Sequence, residues 1–332
     1  MMRWLACVAL SDAIGIGHLV RVRALAAQLD LRLDRVLVWT DWSRERLLRV
    51  APDLPLECVD LGNLEWPGGP MPDGMVMDMP DPPFSLLAAT QHVPRKLLLG
   101  CRDARTHWAD LTVNVAEGDD LVQAEPAWPD PIWRGARFAM LRARFLSGRK
   151  RPYTPSGAIL VAIGGTDAAR LTLPLVEMLL EPASLATHAI DVVCAASHPD
   201  ADGLAHLAAT SSRVRILAPA EAIADWMERS GAAVVAPGNL LFECMALEVP
   251  AVAIAQHARQ ADDFRAYPWL VTGGDIGRVP GMLHDLLQES RTAWTQYARA
   301  AAVGQSLPML KRWIHAPLFP LHSNAHSADS TP

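Results

Sequence analysis

The sequence predicts an α/β protein built from two doubly wound domains. Short, continuous apolar runs alternate with amphipathic helical segments, the alternation restarts after residue 155, and each half opens on a strand that runs straight into a glycine loop. A run that is apolar at every position suits a parallel strand covered on both faces, and strand–helix alternation builds parallel sheets.

In the first half, residues 4–10 (WLACVAL) read as a buried strand. The loop 11–17 follows, and then Leu19, Val22, Leu25, Ala26 and Leu29 fall on one helical face. Residues 35–40 (RVLVWT) form the next strand, and 43–50 a helix with Ser43 as its N-cap. Residues 75–78 (MVMD), 96–99 (KLLL) and 111–115 (LTVNV) are further strands. Between 119 and 155 the pattern lapses into Pro, Trp and Arg. The second half begins with 158–163 (AILVAI), Gly164, Gly165 and a helix running through Leu180; strands follow at 190–194, 214–217, 232–236 and 251–254. The expected division is an N-terminal domain over 1–145, a linker over 146–156, a C-terminal domain over 157–316 and a polar, disordered tail over 317–332.

A chain of 332 residues is long enough for two ordinary cores. With 51% hydrophobic and 20% charged residues it is not a disordered chain. The net charge of -6 gives no global field for nucleic acid or an anionic membrane, so neither is an expected partner, and an anionic ligand requires a local site. Cys7, Cys58, Cys101, Cys194 and Cys244 are scattered without a CxxC pair. That argues against a disulfide framework and a structural zinc site, and predicts a reducing, cytoplasmic setting. Residues 1–10 do not read as a signal peptide, and the apolar stretch 231–256 is broken by Pro237, Glu243, Glu248 and Pro250, so no membrane insertion is expected.

Three loops stand where chemistry is expected. Gly15-Ile16-Gly17-His18 joins the first strand to the first helix: glycines admit a ligand to the backbone, and the helix start offers free N–H groups to an anion. His18 at that position is a candidate general base or a solvated turn residue. The dinucleotide fingerprint fails, because its third glycine position is Val20. Gly164-Gly165-Thr166-Asp167 occupies the equivalent point of the second half and lacks the Lys-Ser/Thr of a Walker A loop; it is a phosphate cradle or simply a capped helix start. Gly238-Asn239 opens a later helix in which Glu243 is either a ribose acceptor or a solvated surface residue.

Other groupings carry less. His198, Asp200, Asp202 and His206 can be drawn as a metal site, but the first three sit in a Pro-Asp loop, and no metal is expected. The basic run Arg134, Arg137, Arg142, Arg144, Arg149, Lys150 and Arg151 reads as a solvated linker face ahead of its alternative, contact with a phosphorylated ligand in the cleft. Asp78 and Asp103, at or near strand ends, either face a cleft or cap turns. Trp128 and Trp133 are either a sugar-stacking platform or core.

Taken in order, the GxGH loop, the mid-domain strand ending in Asp78, residues 135–145 (GARFAMLRARF), Gly164-Gly165-Thr166-Asp167, Gly238-x-x-x-x-Glu243, residues 247–250 (LEVP) and Gln260 resemble the UDP-2,4-diacetamido-2,4,6-trideoxy-β-L-altropyranose hydrolases of pseudaminic acid biosynthesis and the spore-coat polysaccharide proteins. More distantly the pattern is similar to the lipid II N-acetylglucosaminyltransferase. The resemblance implies a GT-B fold, two Rossmann-like domains facing a central cleft. It implies UDP on the C-terminal domain, at Gly164, Gly165, Thr166, Gly238, Asn239 and Glu243. The sugar would lie toward Gly15, Gly17, Asp78, Arg259 and Gln260, with His18 as the catalytic base, a UDP-sugar as the partner and no cofactor. Asn239 and Leu240 stand where the family carries hydroxyls, and Arg259 where it carries Asn. The leading expectation is a UDP-sugar hydrolase; a glycosyltransferase with an acceptor alcohol in place of water and a non-catalytic binding protein are the alternatives.

Overall fold

The computed structural model describes residues 2–60, 69–116, 121–123, 126, 130–164, 166–195, 198–218 and 222–316. The expected tail over 317–332, Gly165 and Trp128 lie outside the described residues.

Two parallel sheets organise the chain. The first contains β1 (Trp4–Leu10), β2 (Leu33–Thr40), β3 (Leu56–Asp60), β4 (Gly74–Asp78), β5 (Lys96–Leu99), β6 (Leu111–Asn114) and β7 (Ile132–Arg134), in the order β3-β2-β1-β4-β5-β6-β7. The second contains β8 (Ala158–Ala162), β9 (Ile190–Val193), β10 (Val214–Leu217), β11 (Ser230–Val235), β12 (Ala251–Ala255) and β13 (Leu270–Thr272), in the order β10-β9-β8-β11-β12-β13. Every pairing is parallel, which requires crossovers over the sheet faces and so buries the central strands on both sides. β1, β4, β8 and β12 are buried along their whole length, as their apolar runs demand.

Packing sets local detail. Gly74 opens β4 directly beneath the Trp4 indole, and a side chain there would meet the ring at 2.7 Å, so only glycine fits. Ser43 caps the helix Arg44–Val50 by accepting from Arg46 N, as expected.

One element departs from the expected division. The last helix, Leu307–His315, leaves the second domain and returns to the first, where Leu307, Leu310 and Ile314 enter the core beside Leu19 and Leu25. Arg95 closes its C-terminus by donating to the carbonyls of Trp313 (3.0 Å), Ile314 and Ala316 (2.6 Å). Three buried aliphatic side chains at ~1.5–3 kcal/mol each are a strong tether between the domains. Residues 157–316 therefore do not form one unit: the second sheet does, and its final helix belongs to the first core.

Candidate functional site

In open parallel sheets a ligand crevice forms where the winding direction reverses, outside the carboxyl ends of the two strands involved. Here the reversals fall between β1 and β4 in the first sheet and between β8 and β11 in the second. The loops leaving those four strands carry His18, Asp78, Gly164, Thr166 and Gly238. The two glycine loops also face each other: the place a Gly15 side chain would occupy lies 3.6 Å from Thr166 Oγ1. Gly17 meets nothing on the side where a side chain would project, so the backbone there is open to a ligand.

His18 stands in the first turn of the helix Gly17–Leu29 and is half-buried. Its Nδ1 lies 2.7 Å from Oδ1 of Asp78, the last residue of β4, which is 0% exposed. Arg21, one turn on, donates Nε to Asp78 Oδ2 (2.7 Å) and Nη2 to Oδ1 (2.5 Å). Burial alone would raise the Asp78 pKa, but the charges and hydrogen bonds of Arg21 and His18 overcome it and hold the group at about 2. An ionised carboxylate only accepts, so His18 Nδ1 carries a proton, and in the neutral ring the lone pair is then on Nε2. Both Asp78 oxygens, expected to lie toward the sugar, accept from Arg21 and His18 and orient the imidazole.

On the second domain, Asp167 fills its own helix start. Its carboxylate accepts from Leu171 N (3.0 Å) and Thr172 N (2.8 Å), ahead of the helix Thr172–Leu180. The helix Asn239–Ala246, by contrast, begins at Gly238 with no side-chain cap. Of the two helix starts read as phosphate sites, the one at Gly238-Asn239 keeps its N–H groups available.

Glu243 is neither a solvated residue nor an open ribose acceptor. It is 2% exposed, and Oε1 and Oε2 each accept a 2.8 Å bond from Arg142. Burial pushes its pKa up while the Arg142 guanidinium opposes the rise. Arg142 is 37% exposed and packs against Phe145, so the cation, not the carboxylate, is the accessible end of the pair. Three further arginines of the basic run are likewise engaged. Arg137 donates to Ser306, Arg144 to the buried Glu228, and Arg149 to the carbonyls of Leu247 and Glu228. These four arginines fasten the interdomain segment instead of forming a solvated face.

Arg259 and Gln260 hold protein groups. Arg259 crosses to the first domain and donates to Asp81 Oδ2 (2.9 Å) and Gly100 O (3.1 Å). Gln260 accepts from Gln256 N (2.9 Å) and donates to Pro237 O (3.4 Å), tying the loop before Gly238 to the segment after β12. Arg102 reaches back from the first domain to Asp262 (3.1 Å) and Asp263. Arg259, Asp81, Arg102, Asp262 and Asp263 line a cavity of about 240 Å³ with Met79, Gly100 and Asp103, and it begins one residue beyond Asp78.

The drawn metal set is only half assembled. His198 and Asp200 come together with Asp167, their ligand atoms within 4.8 Å of one another, while Asp202 and His206 are exposed elsewhere. His198 Nδ1 accepts from Asp200 N (3.1 Å), and its Nε2 lies 3.5 Å from Asp167 Oδ2, buried and without a hydrogen-bond partner. Trp133 is fully buried and packs on Phe138 with ring centroids 5.3 Å apart, so it is core and not a stacking platform. Among the described residues no helix is long and apolar enough to cross a membrane.

The fold is GT-B, two Rossmann-like domains across a cleft. The glycotransferase of kitacinnamycin superposes with a TM-score of 0.56 at 13% identity, over 94% of this chain and 98% of that one. The calicheamicin glycosyltransferase CalG4 gives 0.56 at 11%, over 96% and 100%. The UDP-GlcNAc 2-epimerase of Neisseria meningitidis, bound to UDP-GlcNAc, gives 0.53 at 11%, over 94% and 99%. In sequence, the chain is similar to an uncharacterized protein of Methanocaldococcus jannaschii, 22% identical over 277 residues, and spans about half (56%) of that protein's length. No family model matches the sequence.

Proposed function

We propose that the protein is a GT-B glycosyltransferase that moves a sugar from UDP to an acceptor hydroxyl, with His18 as general base. The observation that carries the reading is the His18–Asp78 pair: a half-buried imidazole whose tautomer leaves Nε2 free, placed at the switch point of one sheet and opposite the glycine loop of the other. In this reading UDP lies on the second domain, at Gly164, Gly165, Thr166, Gly238 and Asn239, with Arg142 near its negative charge and Glu243 behind Arg142. Nε2 takes the acceptor O–H proton as the oxygen forms its bond to the anomeric carbon. The bond from that carbon to UDP breaks, and the electron pair leaves with the diphosphate, toward the uncapped helix start. Glycosyltransferases among the similar folds support this reading.

Hydrolysis of the same UDP-sugar is the second reading. It is supported by the sequence likeness of residues 135–145 and the glycine loops to UDP-sugar hydrolases, and it needs only a water where the acceptor would lie. The two are separated by incubating the protein with a panel of UDP-sugars, with and without alcohol acceptors, and measuring free UDP. Acceptor-dependent release supports transfer, equal release without acceptor supports hydrolysis, and UDP binding without turnover removes both.

A further inference from the structure

Arg21 shares a carboxylate with the imidazole proposed to do the chemistry. Asp78 is fully buried at the end of β4, and Arg21 takes both of its oxygens in a fork while His18 takes one. A fork of this kind fixes the plane of the carboxylate, and therefore the direction from which Oδ1 meets His18 Nδ1. It also changes the charge count. A buried carboxylate with His18 as its only partner would favour a positive imidazolium, which has no lone pair with which to accept a proton. With Arg21 in place the carboxylate is already matched, and an imidazolium would stand with its Nδ1 only 3.1 Å from Arg21 Nη2.

We infer that Arg21 is a positioning residue: it neutralises Asp78 and thereby keeps His18 neutral, protonated on Nδ1 and open at Nε2. The consequence for catalysis rests on the reading of His18 as the base; the effect on the imidazole does not.

The surrounding charges leave Arg21 as the deciding group. From β1, the residues on this face are Ala6, Val8 and Leu10, which carry no charge. Arg23, on the same helix, pairs with Asp53. Asp12, in the preceding loop, is held by Trp42 and Arg46. Arg144, from the short helix Ala143–Leu146 packed on this one, turns to Glu228. Lys311 and His315 of the last helix engage Asp30 and Leu29 at the far end of the helix.

The test is a pH titration of the full chain by nitrogen-15 NMR of its histidine rings, which reports tautomer and protonation without any turnover. His18→Gln assigns the signal. The wild-type protein is expected to show the neutral His18 ring with its proton on Nδ1. In Arg21→Gln the His18 midpoint is expected to rise by about 1–2 pH units, because Asp78 then has only the imidazole as a cation. Arg21→Lys keeps the charge and is expected within about 0.5 unit of wild type. An unchanged midpoint in Arg21→Gln, or a wild-type ring with its proton on Nε2, overturns the proposal. If Arg21→Gln does not fold, Arg21→Lys decides, and a rise of about 1 unit or more there overturns it as well. If the midpoint moves as expected but His18→Gln leaves UDP release intact, the Arg21 inference stands and the base assignment fails.

Discussion

Gly15 and Thr166 face each other across the cleft, the place of a Gly15 side chain lying 3.6 Å from the threonine hydroxyl. Gly15 also holds a φ of 79°, a left-handed conformation that strains any other residue except Asn or Asp. Gly15→Ala is therefore expected to lose about 1 kcal/mol of stability from backbone strain. Gly15→Val adds bulk at the contact and is expected also to weaken UDP binding several-fold. Denaturant unfolding and calorimetric titration with UDP check both, and full affinity in a folded Gly15→Val protein would separate the loops functionally.

Asp78 links the site to acid stability. Its pKa is depressed to about 2, against an ordinary carboxyl value near 4, so the unfolded chain binds its proton first as pH falls. The stabilisation, about 2 kcal/mol, is fully present above pH ~4 and is lost as pH falls toward ~2. Asp167, held at about 2 against burial by His198, Thr172 and Leu171, loses its contribution in the same window. Asp78→Asn leaves Arg21 buried without its counter-charge and is expected to cost about 3–5 kcal/mol at neutral pH. That deficit should shrink below pH ~4, where wild type loses the same term; unfolding free energies measured at several pH values decide it.

The Arg142–Glu243 pair is asymmetric, because the acid is buried and the cation is partly in water. Arg142→Ala strands a buried carboxylate and is expected to cost about 3 kcal/mol. Glu243→Gln leaves a half-solvated arginine and should cost under about 1.5 kcal/mol. With Arg142 removed, nothing opposes the rise that burial imposes on the Glu243 pKa, so the loss should grow as pH rises above the ordinary carboxyl range, where the unfolded chain ionises more readily than the folded one. Equal costs for the two variants would contradict this arrangement.

Arg259–Asp81 and Arg102–Asp262 bridge the two domains at exposed positions. Each exposed pair contributes about 0–1 kcal/mol, so an Arg102→Ala, Arg259→Ala double variant is expected to keep its folding stability within about 2 kcal/mol. The cleft should open more readily, which small-angle scattering would register as a larger radius of gyration. An unchanged radius at low salt would show that the last helix alone sets the domain spacing.

The central strands were legible because a parallel strand covered on both faces is apolar throughout: β1, β4 and β8 stand where their runs predict them. β3, β7 and β13 were not, since edge strands are half covered and short; β3 reads LECVD with its middle exposed. His18 could be picked out because the loop after the first strand of an open sheet is where ligands come. Arg21 could not, because an arginine on an amphipathic helix looks solvated until the carboxylate beneath it is known; its spacing of three from His18 is the signal that places both on one face. Glu243 and Arg142 lie far apart in sequence, and nothing local predicts their pairing. The periodicity of Leu307, Leu310 and Ile314 marks a helix without telling which core receives it.

The central claim is that His18 removes the nucleophile's proton. The direct measurement is UDP release by folded wild-type and His18→Gln proteins across the UDP-sugar panel, with and without acceptors, beside calorimetric UDP affinities. The expected result is a fall in turnover of about two to four orders of magnitude, the range for one acid–base group, with nucleotide affinity unchanged. Near-wild-type turnover in a folded His18→Gln protein would contradict it.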